Sequence, residues 1–295
     1  MSRIVVLGEV MVDVVARLAG ELAPGSDAPA QISFLGGGSA ANTAAWLAVA
    51  APATPALVGC VGDDARGRAA TGELRAGGVD ARLVVDPERP TGTCIVLVAP
   101  DGERTMIPDP GANESLAADD LPEELLTPGG HLHVSGYSLL RAGSRTAALD
   151  AIARARAKGT GVSVDPSSAA LLAPDFLELV RGIDLLLPNL EEAMALTAED
   201  DADRAAGQLA GQVGEVVVKL GAGGALWTDG GEVVRVPGVP VDTVVDSTGA
   251  GDAFAAGLLA ARLQGAGPEA AMTAGCRLAA DAVGSPGGRP PLGRR

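Results

Sequence analysis

The 295-residue sequence has few aromatic residues, few cysteines and no long uninterrupted apolar segment. Aromatic side chains make up only 2% of it, and the cysteines are Cys60, Cys94 and Cys276. Three separated cysteines form no zinc motif, and an odd number argues against a disulfide framework, so we expect reduced thiols in a cytoplasmic protein. Charges, glycines and prolines interrupt every apolar stretch before it reaches membrane-spanning length, which argues against a membrane protein.

Positive charge is also scarce. Lys and Arg together number 22 against 37 Asp and Glu, which gives a formal net charge of −15. An acidic surface repels nucleic acids and anionic membranes, so we expect neither as a partner. Backbone dipoles can still bind a phosphate within an acidic protein. The sequence contains no Walker A lysine motif and no GxGxxG fingerprint, which excludes P-loop kinases and a Rossmann dinucleotide site.

What the sequence does contain is an alternation of short apolar runs and Ala/Leu/Arg-rich stretches. The alternation predicts a mostly parallel sheet with helices on both faces. Strands are predicted over Ile4–Leu7, Ala56–Val61, Leu132–Ser135, Gly161–Asp165, Ile183–Leu187 and Glu215–Leu220. Helices are predicted over Ala40–Ala50, Ala65–Ala76, Ser144–Ala157, Pro174–Val180, Leu190–Leu196, Ala202–Gln212, Ala253–Leu263 and Pro268–Val283.

Four further strands do not fit this alternation. They are predicted over Val10–Leu18, Ala30–Leu35, Gly92–Ala99 and Arg104–Pro108, with a hairpin turn signal between the last two. We expect these strands to form a small separate sheet, a lid over the carboxyl ends of the parallel strands. The lid is expected to come from residues 10–35 and 90–110.

The most specific motif is the run Asp-Ser-Thr-Gly-Ala-Gly-Asp from Asp246 to Asp252, which precedes an apolar helix. Small residues let backbone N–H groups surround an anion at a helix N-terminus, where the helix dipole favours negative charge. A carboxylate there can act as a base. Asp252 as a simple helix cap is the alternative, but the whole run favours a phosphate-binding turn with a built-in base.

Two features nearer the N-terminus suit a polyol. Gly36, Gly37 and Gly38 precede a helix that carries Asn42 one turn in, and an amide can both donate to and accept from a hydroxyl. Asp13 follows the first strand, where the ligand crevice of such a sheet opens. A flexible turn and a solvated strand end remain the alternative interpretations of these features.

Two further motifs follow predicted strands. Asn189 and Glu192 lie three residues apart at a helix start, which suits either a water-mediated Mg²⁺ site or a capping box. Lys219 precedes a glycine cluster that includes Gly221 and Gly224, where a nucleotide can lie against the backbone. A hairpin turn gives the same pattern.

Taken together and in this order, these motifs resemble those of the PfkB carbohydrate kinase family, also called ribokinase-like. Gly36–Asn42 is similar to its N-terminal signature and Asp246–Asp252 to its C-terminal signature. The resemblance implies an α/β three-layer sandwich over residues 1–295 with a β lid that often mediates dimerisation, here a homodimer. It also implies transfer of the ATP γ-phosphate, with Mg²⁺, to a primary hydroxyl of a sugar or nucleoside.

The resemblance also implies roles for individual residues. Asp252 is the expected base, and Gly249, Ala250 and Gly251 form the expected anion hole. The remaining roles cover the acceptor, the nucleotide and the cations: Asp13, Gly37, Gly38 and Asn42 for the acceptor; Asn189, Lys219, Gly221 and Gly224 for the nucleotide; Glu192 for Mg²⁺ through water; Asp246 and Thr248 for K⁺.

The sequence departs from the ribokinase pattern at Ser39, where a lysine is usual, and at Gly284–Gly287, where an arginine-containing turn is usual. The second departure leaves activation by K⁺ open. A nucleoside kinase is an alternative, with Phe34 and Tyr137 as candidate platforms for the base, although the scarcity of aromatics favours a sugar. A non-catalytic sensor on the same fold is a further alternative. The segment Gly287–Arg295 is predicted to be irregular.

Overall fold

Nine strands form the larger of two sheets in the computed structural model, which describes residues 3–22, 24–291 and 293. In chain order they are β1 (Ile4–Leu7), β4 (Ala56–Gly62), β5 (Asp80–Asp86), β8 (His131–Ser135), β9 (Gly161–Asp165), β10 (Leu185–Leu186), β11 (Glu215–Lys219), β12 (Ala225–Thr228) and β13 (Val233–Val236). The spatial order is β13-β12-β11-β10-β9-β8-β1-β4-β5. The strands from β11 to β5 are parallel, whereas β12 and β13 are antiparallel to their neighbours.

Helices cover both faces of this sheet. On one face lie α1 (Ser39–Ala50), α2 (Ala65–Ala76), α8 (Ala250–Leu263) and α9 (Pro268–Ala282). On the other lie α3 (Gly136–Leu140), α4 (Ala142–Ala157), α5 (Phe176–Leu179), α6 (Leu190–Thr197) and α7 (Ala202–Ala210). Successive residues of β1 alternate between the two cores, since Ile4 packs into one and Val5 into the other. A strand buried on both faces must be apolar throughout, which explains the continuous apolar runs. None of the described helices is both long and apolar enough to cross a membrane.

The smaller sheet has four strands: β2 (Met11–Leu18), β3 (Ala30–Gly37), β6 (Gly92–Val98) and β7 (Arg104–Asp109). Their order is β3-β2-β6-β7, with a parallel central pair and antiparallel outer pairs. Residues paired across strands share a face. Asp13, Leu35 and Cys94 therefore lie on one face, which we call the inner face, and Phe34 and Ile95 lie on the opposite, outer face.

The strand order reverses around β1, which lies between β4 and β8. Ligands of such sheets bind at the carboxyl ends of the strands where the order reverses. The polar residues Glu9, Ser135, Asp165, Asn189 and Lys219 all stand at or just beyond those ends. The fold therefore gathers side chains from distant parts of the sequence at one edge of the sheet.

The predicted α/β fold with a separate small sheet is confirmed, but several element boundaries were wrong. The helix predicted over Ala253–Leu263 begins at Ala250, so the glycine-rich turn is its first turn. The strand predicted over Ile183–Leu187 forms ladder pairs only at Leu185–Leu186, and the helix predicted over Pro174–Val180 shortens to Phe176–Leu179. The strands β5, β12 and β13 and the helix α3 were not predicted. For β5 and β13 the reason is the mixed polar pattern that edge strands carry.

The buried bond from Trp46 to the C-terminal segment gives the first testable prediction. Trp46 Nε1 donates to Gly288 O at 2.9 Å, and this bond ties residues 284–291 to α1. We expect Trp46→Phe to lower the free energy of unfolding by about 1–3 kcal/mol, because the buried carbonyl loses its donor. Urea unfolding measures this change.

Trp227→Phe is the matched control. It removes the donor to Glu215, but that carboxylate keeps two bonds of 2.6 Å from Arg262. We expect a smaller loss in this variant. Equal losses in the two variants would contradict the assigned role of the Trp46 bond.

Candidate active site

Asp252 stands in the first turn of α8 and is held by two side chains of α1. Ser39 Oγ donates to its Oδ1 at 2.7 Å, and Asn42 Nδ2 donates to its Oδ2 at 2.9 Å. The residue at position 39, where the sequence departs from the ribokinase lysine, is thus a hydrogen-bond donor to the candidate base. The two donors fix the orientation of the carboxylate.

The pKa of Asp252 is raised to about 7. Burial is the largest cause, and the nearby charge of Asp165 adds to the rise, while the donors Asn42 and Ser39 and the charge of Lys219 oppose it. A carboxylate with such a pKa is a much stronger base at neutral pH than an ordinary aspartate. The side chain is therefore suited to accept a proton from an alcohol.

The turn before Asp252 is open to an anion. Gly249 has φ = +75°, and a Cβ on it would lie 2.5 Å from Gly288 Cα, so the position requires glycine. A Cβ on Gly251 would lie 3.4 Å from Lys219 Nζ. The first N–H groups of a helix have no partner within it. Together with the Lys219 ammonium, they make this turn a site for a negatively charged group.

Lys219 ends β11, and its side chain, which is 13% exposed, lies against Asp165, to which its Nζ donates. Burial by itself would lower the pKa of Lys219, but Asp165, Glu192 and Asp252 raise it above the ordinary value. The ammonium therefore stays charged beside the N-terminus of α8. Asp165 was not predicted as a site residue, although its place at the end of β9 marks the same edge of the sheet.

A cavity of about 450 Å³ opens beside this turn. Its lining is mostly apolar and includes Val241, Phe254, Cys276 and Val283. Three of the four predicted nucleotide residues line it as well, next to Ala250 and Gly251: Lys219, Gly221 and Gly224. The fourth, Asn189, is not among the lining residues. An apolar cavity that ends at an anion-binding turn has the shape and polarity to hold a nucleotide with its phosphates at the turn.

Asn189 and Glu192 form a capping box at the start of α6. Glu192 N donates to Asn189 Oδ1 and Asn189 N donates to Glu192 Oε2, both at 2.8 Å. Burial, with help from Asp165, raises the pKa of Glu192 to about 7, while Lys219 lowers it. Carboxylate and amide oxygens are ligands that fit a hydrated Mg²⁺, which keeps several of its waters. In the described part of the chain no three His, Cys, Asp or Glu side chains are grouped as a preformed metal centre.

Asp13 lies on the acceptor side of the crevice, packed against Gly37. A Cβ on Gly37 would lie 2.2 Å from Asp13 Oδ1, and one on Gly38, which has φ = +91°, would lie 2.5 Å from Glu9 O. Burial raises the pKa of Asp13 to about 6, against the lowering effect of Arg289. Gly37 thus allows the backbone to approach the Asp13 carboxylate directly, and Gly38 allows it to pass close to the Glu9 carbonyl.

Two buried side-chain oxygen atoms, one in α1 and one just after β1, lack partners. Among the described residues, no hydrogen-bond donor reaches Asn42 Oδ1 or Glu9 Oε2. The other oxygen of Glu9 accepts from Ser135 Oγ at 3.0 Å and from Ala40 N at 3.4 Å. Buried acceptors are costly when they are left unpaired, so a donor at either atom would stabilise this region.

The two aromatic candidates differ in position. Phe34 is 65% exposed and pairs with Val14 on the outer face of the small sheet, away from Asp13. The prediction that it supports a nucleoside base was therefore wrong. Tyr137 is half-buried, and Glu9 and Asp252 both contribute to raising its pKa to about 12, although burial is the larger cause. The Arg141 guanidinium lies 5.5 Å from the centre of its ring.

The C-terminal segment contributes a residue that sequence analysis missed. Residues 287–289 have no regular secondary structure, as predicted, but they are buried between α1 and the turn of α8, whereas Leu292, Arg294 and Arg295 lie outside the described residues. Arg289 Nη2 donates to Gly37 O at 2.7 Å, and the guanidinium lies 3.5 Å from Glu73. The arginine-rich composition of the segment was visible, but the burial of one arginine was not.

The predicted potassium ligands already contact a positive charge. Arg104 Nη1 donates to Asp246 Oδ1 at 2.6 Å and to Thr248 Oγ1, and Nη2 donates to Ser247 Oγ. Asp246 Oδ2 accepts from Gly287 N at 3.0 Å. As they stand, these side chains do not fit a potassium ion, because the guanidinium covers their oxygen atoms.

Comparison with known proteins assigns the family. The family model described as pfkB family carbohydrate kinase matches residues 1–294. The chain belongs to the PfkB carbohydrate kinase family. An ATP-dependent ribose-1-phosphate kinase from Halopiger xanaduensis is 36% identical over 88% of this chain and 84% of the relative.

Solved structures agree with this assignment. An adenosine kinase from Sinorhizobium meliloti superposes with a TM-score of 0.89 at 29% identity, over 99% of this chain and 96% of that one. A putative ribokinase II from E. coli in complex with ATP and Mg²⁺ gives a TM-score of 0.84 at 27% identity, over 98% and 94%. This PfkB kinase is therefore a phosphotransferase for sugars or nucleosides, in a family that uses ATP.

The close contact between Asp13 and Gly37 gives a second prediction. We expect Gly37→Ala to raise the KM for the acceptor at least about tenfold, since the new methyl group displaces the Asp13 carboxylate and costs a charged hydrogen bond. Steady-state kinetics with a saturating phosphate donor measures this. Gly72→Ala is the control, because a Cβ there meets nothing within 4 Å on the exposed side of α2. An unchanged KM in Gly37→Ala would refute the acceptor role.

Proposed function

We propose that this PfkB kinase transfers the γ-phosphoryl group of ATP to the primary hydroxyl of a small sugar, with Asp252 as the base. The observation that carries the proposal is the position of Asp252. Its carboxylate is fixed by Ser39 and Asn42 at the N-terminus of α8, within the field of Lys219. A base for the alcohol and a binding site for the phosphate are thus built into the same turn.

The proposed reaction is an in-line displacement. As the acceptor oxygen attacks the γ-phosphorus, its proton passes to Asp252, the new O–P bond forms, and the bond to the β-phosphate oxygen breaks to release ADP. The N–H groups at the start of α8 and the Lys219 ammonium stabilise charge on the equatorial oxygens. Mg²⁺, held through water by Glu192 with Asn189 orienting that carboxylate, would neutralise the phosphates when bound.

A sugar is preferred to a nucleoside because the acceptor side is polar. Asp13, Asn42 Oδ1 and Glu9 Oε2 offer oxygen acceptors, which suit several hydroxyl groups. Of the two candidate platforms for a base, Phe34 faces away from the crevice and Tyr137 is covered by Arg141. A non-catalytic sensor would not need a base with a pKa near neutrality at the phosphate-binding turn.

ADP release in the presence of a panel of sugars and nucleosides tests the proposed function. We expect sugars with a free primary hydroxyl to stimulate release, and the same sugars lacking that hydroxyl to leave it at the background rate. Stimulation by nucleosides alone would favour the nucleoside kinase. If no acceptor stimulates release while a sugar still raises the melting temperature, the sensor gains support.

The role of Asp252 predicts a specific dependence on pH. Because the carboxylate must be ionised to accept a proton, kcat/KM should fall about tenfold per pH unit below a pKa near 7. Asp252→Asn should lower kcat by about 10²–10⁴-fold and abolish this acidic limb. Near-normal turnover in the variant would refute the assignment.

The same pKa shift predicts an effect on stability. A folded-state pKa above the unfolded value means that the folded protein binds more protons between about pH 4 and 7, so stability falls as pH rises through that range. Asp252→Asn should therefore melt at a higher temperature than the wild type at pH 8, since the buried charge is gone. If the side-chain amide of Asn42 rotates by half a turn, its Oδ1 can accept a hydrogen bond from the amide introduced at position 252. A lower melting temperature of Asp252→Asn at pH 8 would contradict the prediction that the buried charge destabilises the folded protein.

We also propose that the protein is a homodimer in the cytoplasm. The outer face of the small sheet exposes a cross-strand row of apolar side chains in which Phe34 is 65%, Ile95 44% and Ile107 51% exposed. An exposed apolar patch of this kind favours an interface, here with a second copy of the chain. The free, buried thiols of Cys60, Cys94 and Cys276 suit a reducing compartment.

Light scattering coupled to size exclusion tests the dimer. We expect Phe34→Asp to halve the measured mass, because the charge cannot be buried against a second sheet without a large desolvation cost. Leu171→Asp is the control, since Leu171 is 52% exposed but lies outside the small sheet. A wild-type protein that elutes as a monomer would contradict the proposed dimer.

A further inference from the structure

Arg104 connects the small sheet to the loop that leads into the phosphate-binding turn. It is the first residue of β7 and pairs with Val98, so its side chain leaves the inner face of the small sheet. Its guanidinium contacts side-chain oxygens of three consecutive residues, Asp246, Ser247 and Thr248. The next residue, Gly249, is the N-cap of α8. The Arg104 side chain thus contacts a residue 142 positions away in the sequence, just before the turn.

Both oxygens of the carboxylate at the centre of these contacts accept hydrogen bonds. Asp246 Oδ1 accepts from Thr248 N at 2.9 Å as well as from Arg104, and Oδ2 accepts from Gly287 N. The Asp246 side chain is only 9% exposed and that of Arg104 28%. A nearly buried carboxylate needs an opposite charge close by, and the planar fork of a guanidinium provides one with directed hydrogen bonds.

A monovalent cation and the Arg104 guanidinium would compete for the same oxygen atoms. Each carries one positive charge, and each would satisfy Asp246 together with a neighbouring hydroxyl oxygen. The guanidinium already lies against Asp246 Oδ1 and the Thr248 hydroxyl, so a cation bound by the same two oxygens would have to displace it. The guanidinium has the advantage that it belongs to the chain and loses no translational freedom on binding.

We propose that Arg104 is a built-in replacement for the monovalent cation, a positioning residue that holds the Asp246–Thr248 loop and makes the kinase independent of K⁺. Because Arg104 belongs to β7 of the small sheet, it can hold the Asp246–Thr248 loop only while that sheet lies over the crevice. This inference rests on the proposed phosphotransfer for its effect on turnover. Its effect on ion binding is independent of that reaction.

The experiment compares wild type with Arg104→Ala in buffers that contain either K⁺ or tetramethylammonium at the same ionic strength. Turnover and melting temperature are measured in both buffers. In the wild type we expect turnover to differ less than about twofold, and the melting temperature to stay the same. In Arg104→Ala, kcat should fall at least about tenfold, because the loop loses two or more charged hydrogen bonds, with a smaller change in the acceptor KM. K⁺ should raise both its kcat and its melting temperature, the latter by about 2 °C or more.

Two variants serve as matched controls. Arg17→Ala removes an exposed arginine from the same cross-strand row of the small sheet, since Arg17 and Arg104 both pair with Val98, and it should behave as the wild type. Arg104→Lys retains the charge and should remain insensitive to K⁺. If Arg104→Ala does not fold, Arg104→Gln, which is neutral but of similar length, replaces it in the comparison.

Three results would each overturn the inference: activation or thermal stabilisation of the wild type by K⁺, wild-type kcat in the neutral variant, or a neutral variant whose melting temperature ignores K⁺. Failure of the proposed function is distinguishable from these results. If no acceptor is phosphorylated by the wild type, the melting temperatures in the two buffers still decide whether Arg104 occupies the place of the cation.

Discussion

The burial of the Asp252 carboxylate is the constraint on which the rest of this site depends. Taking a carboxylate out of water is costly unless hydrogen bonds and opposite charges compensate it. Here Ser39 and Asn42 supply the hydrogen bonds and Lys219 supplies the charge. The compensation is incomplete, which is why the pKa rises to about 7. Complete compensation would leave a weak base, and none would leave a protonated acid, so the proposed chemistry needs an intermediate degree of compensation.

This constraint explains several choices of residue around Asp252. The helix α8 must approach α1 closely for Ser39 and Asn42 to reach its first turn, and the small residues at its start permit that approach. Gly249 and Gly288 lie against each other because neither has a side chain, and a Cβ on Gly288 would lie 2.3 Å from Asn42 Nδ2. The C-terminal segment thus packs directly against Gly249 and Asn42, next to Asp252. A glycine-rich, apparently irregular segment is therefore part of the site.

The sequence predicted the sheet, most helices and the turn that leads into α8, because each depends on local pattern. Parallel strands are continuous apolar runs, and the Asp246–Asp252 motif joins a turn to a helix N-terminus within seven residues. Side-chain contacts between distant segments have no such pattern. Arg289, Arg104 and Asp165 became site residues only when the fold placed them beside Gly37, Asp246 and Lys219. Phe34 failed as a prediction for a related reason: the register of a strand decides which face a side chain takes, and a shift of one residue reverses it.

The charge distribution accounts for the use of arginine and lysine in an acidic chain. With a net charge of −15, the protein as a whole repels a nucleotide, so phosphate binding needs positive charge at specific points. The positive charges at this edge of the sheet lie beside carboxylates: Lys219 with Asp165, Arg104 with Asp246, and Arg289 near Asp13 and Glu73. Such pairs contribute little net stability, since desolvation offsets their attraction. What they provide is fixed geometry, because a buried pair can be satisfied in only one arrangement. The acidic residues Asp165 and Asp246 therefore hold the cations Lys219 and Arg104 in fixed positions at this edge of the sheet.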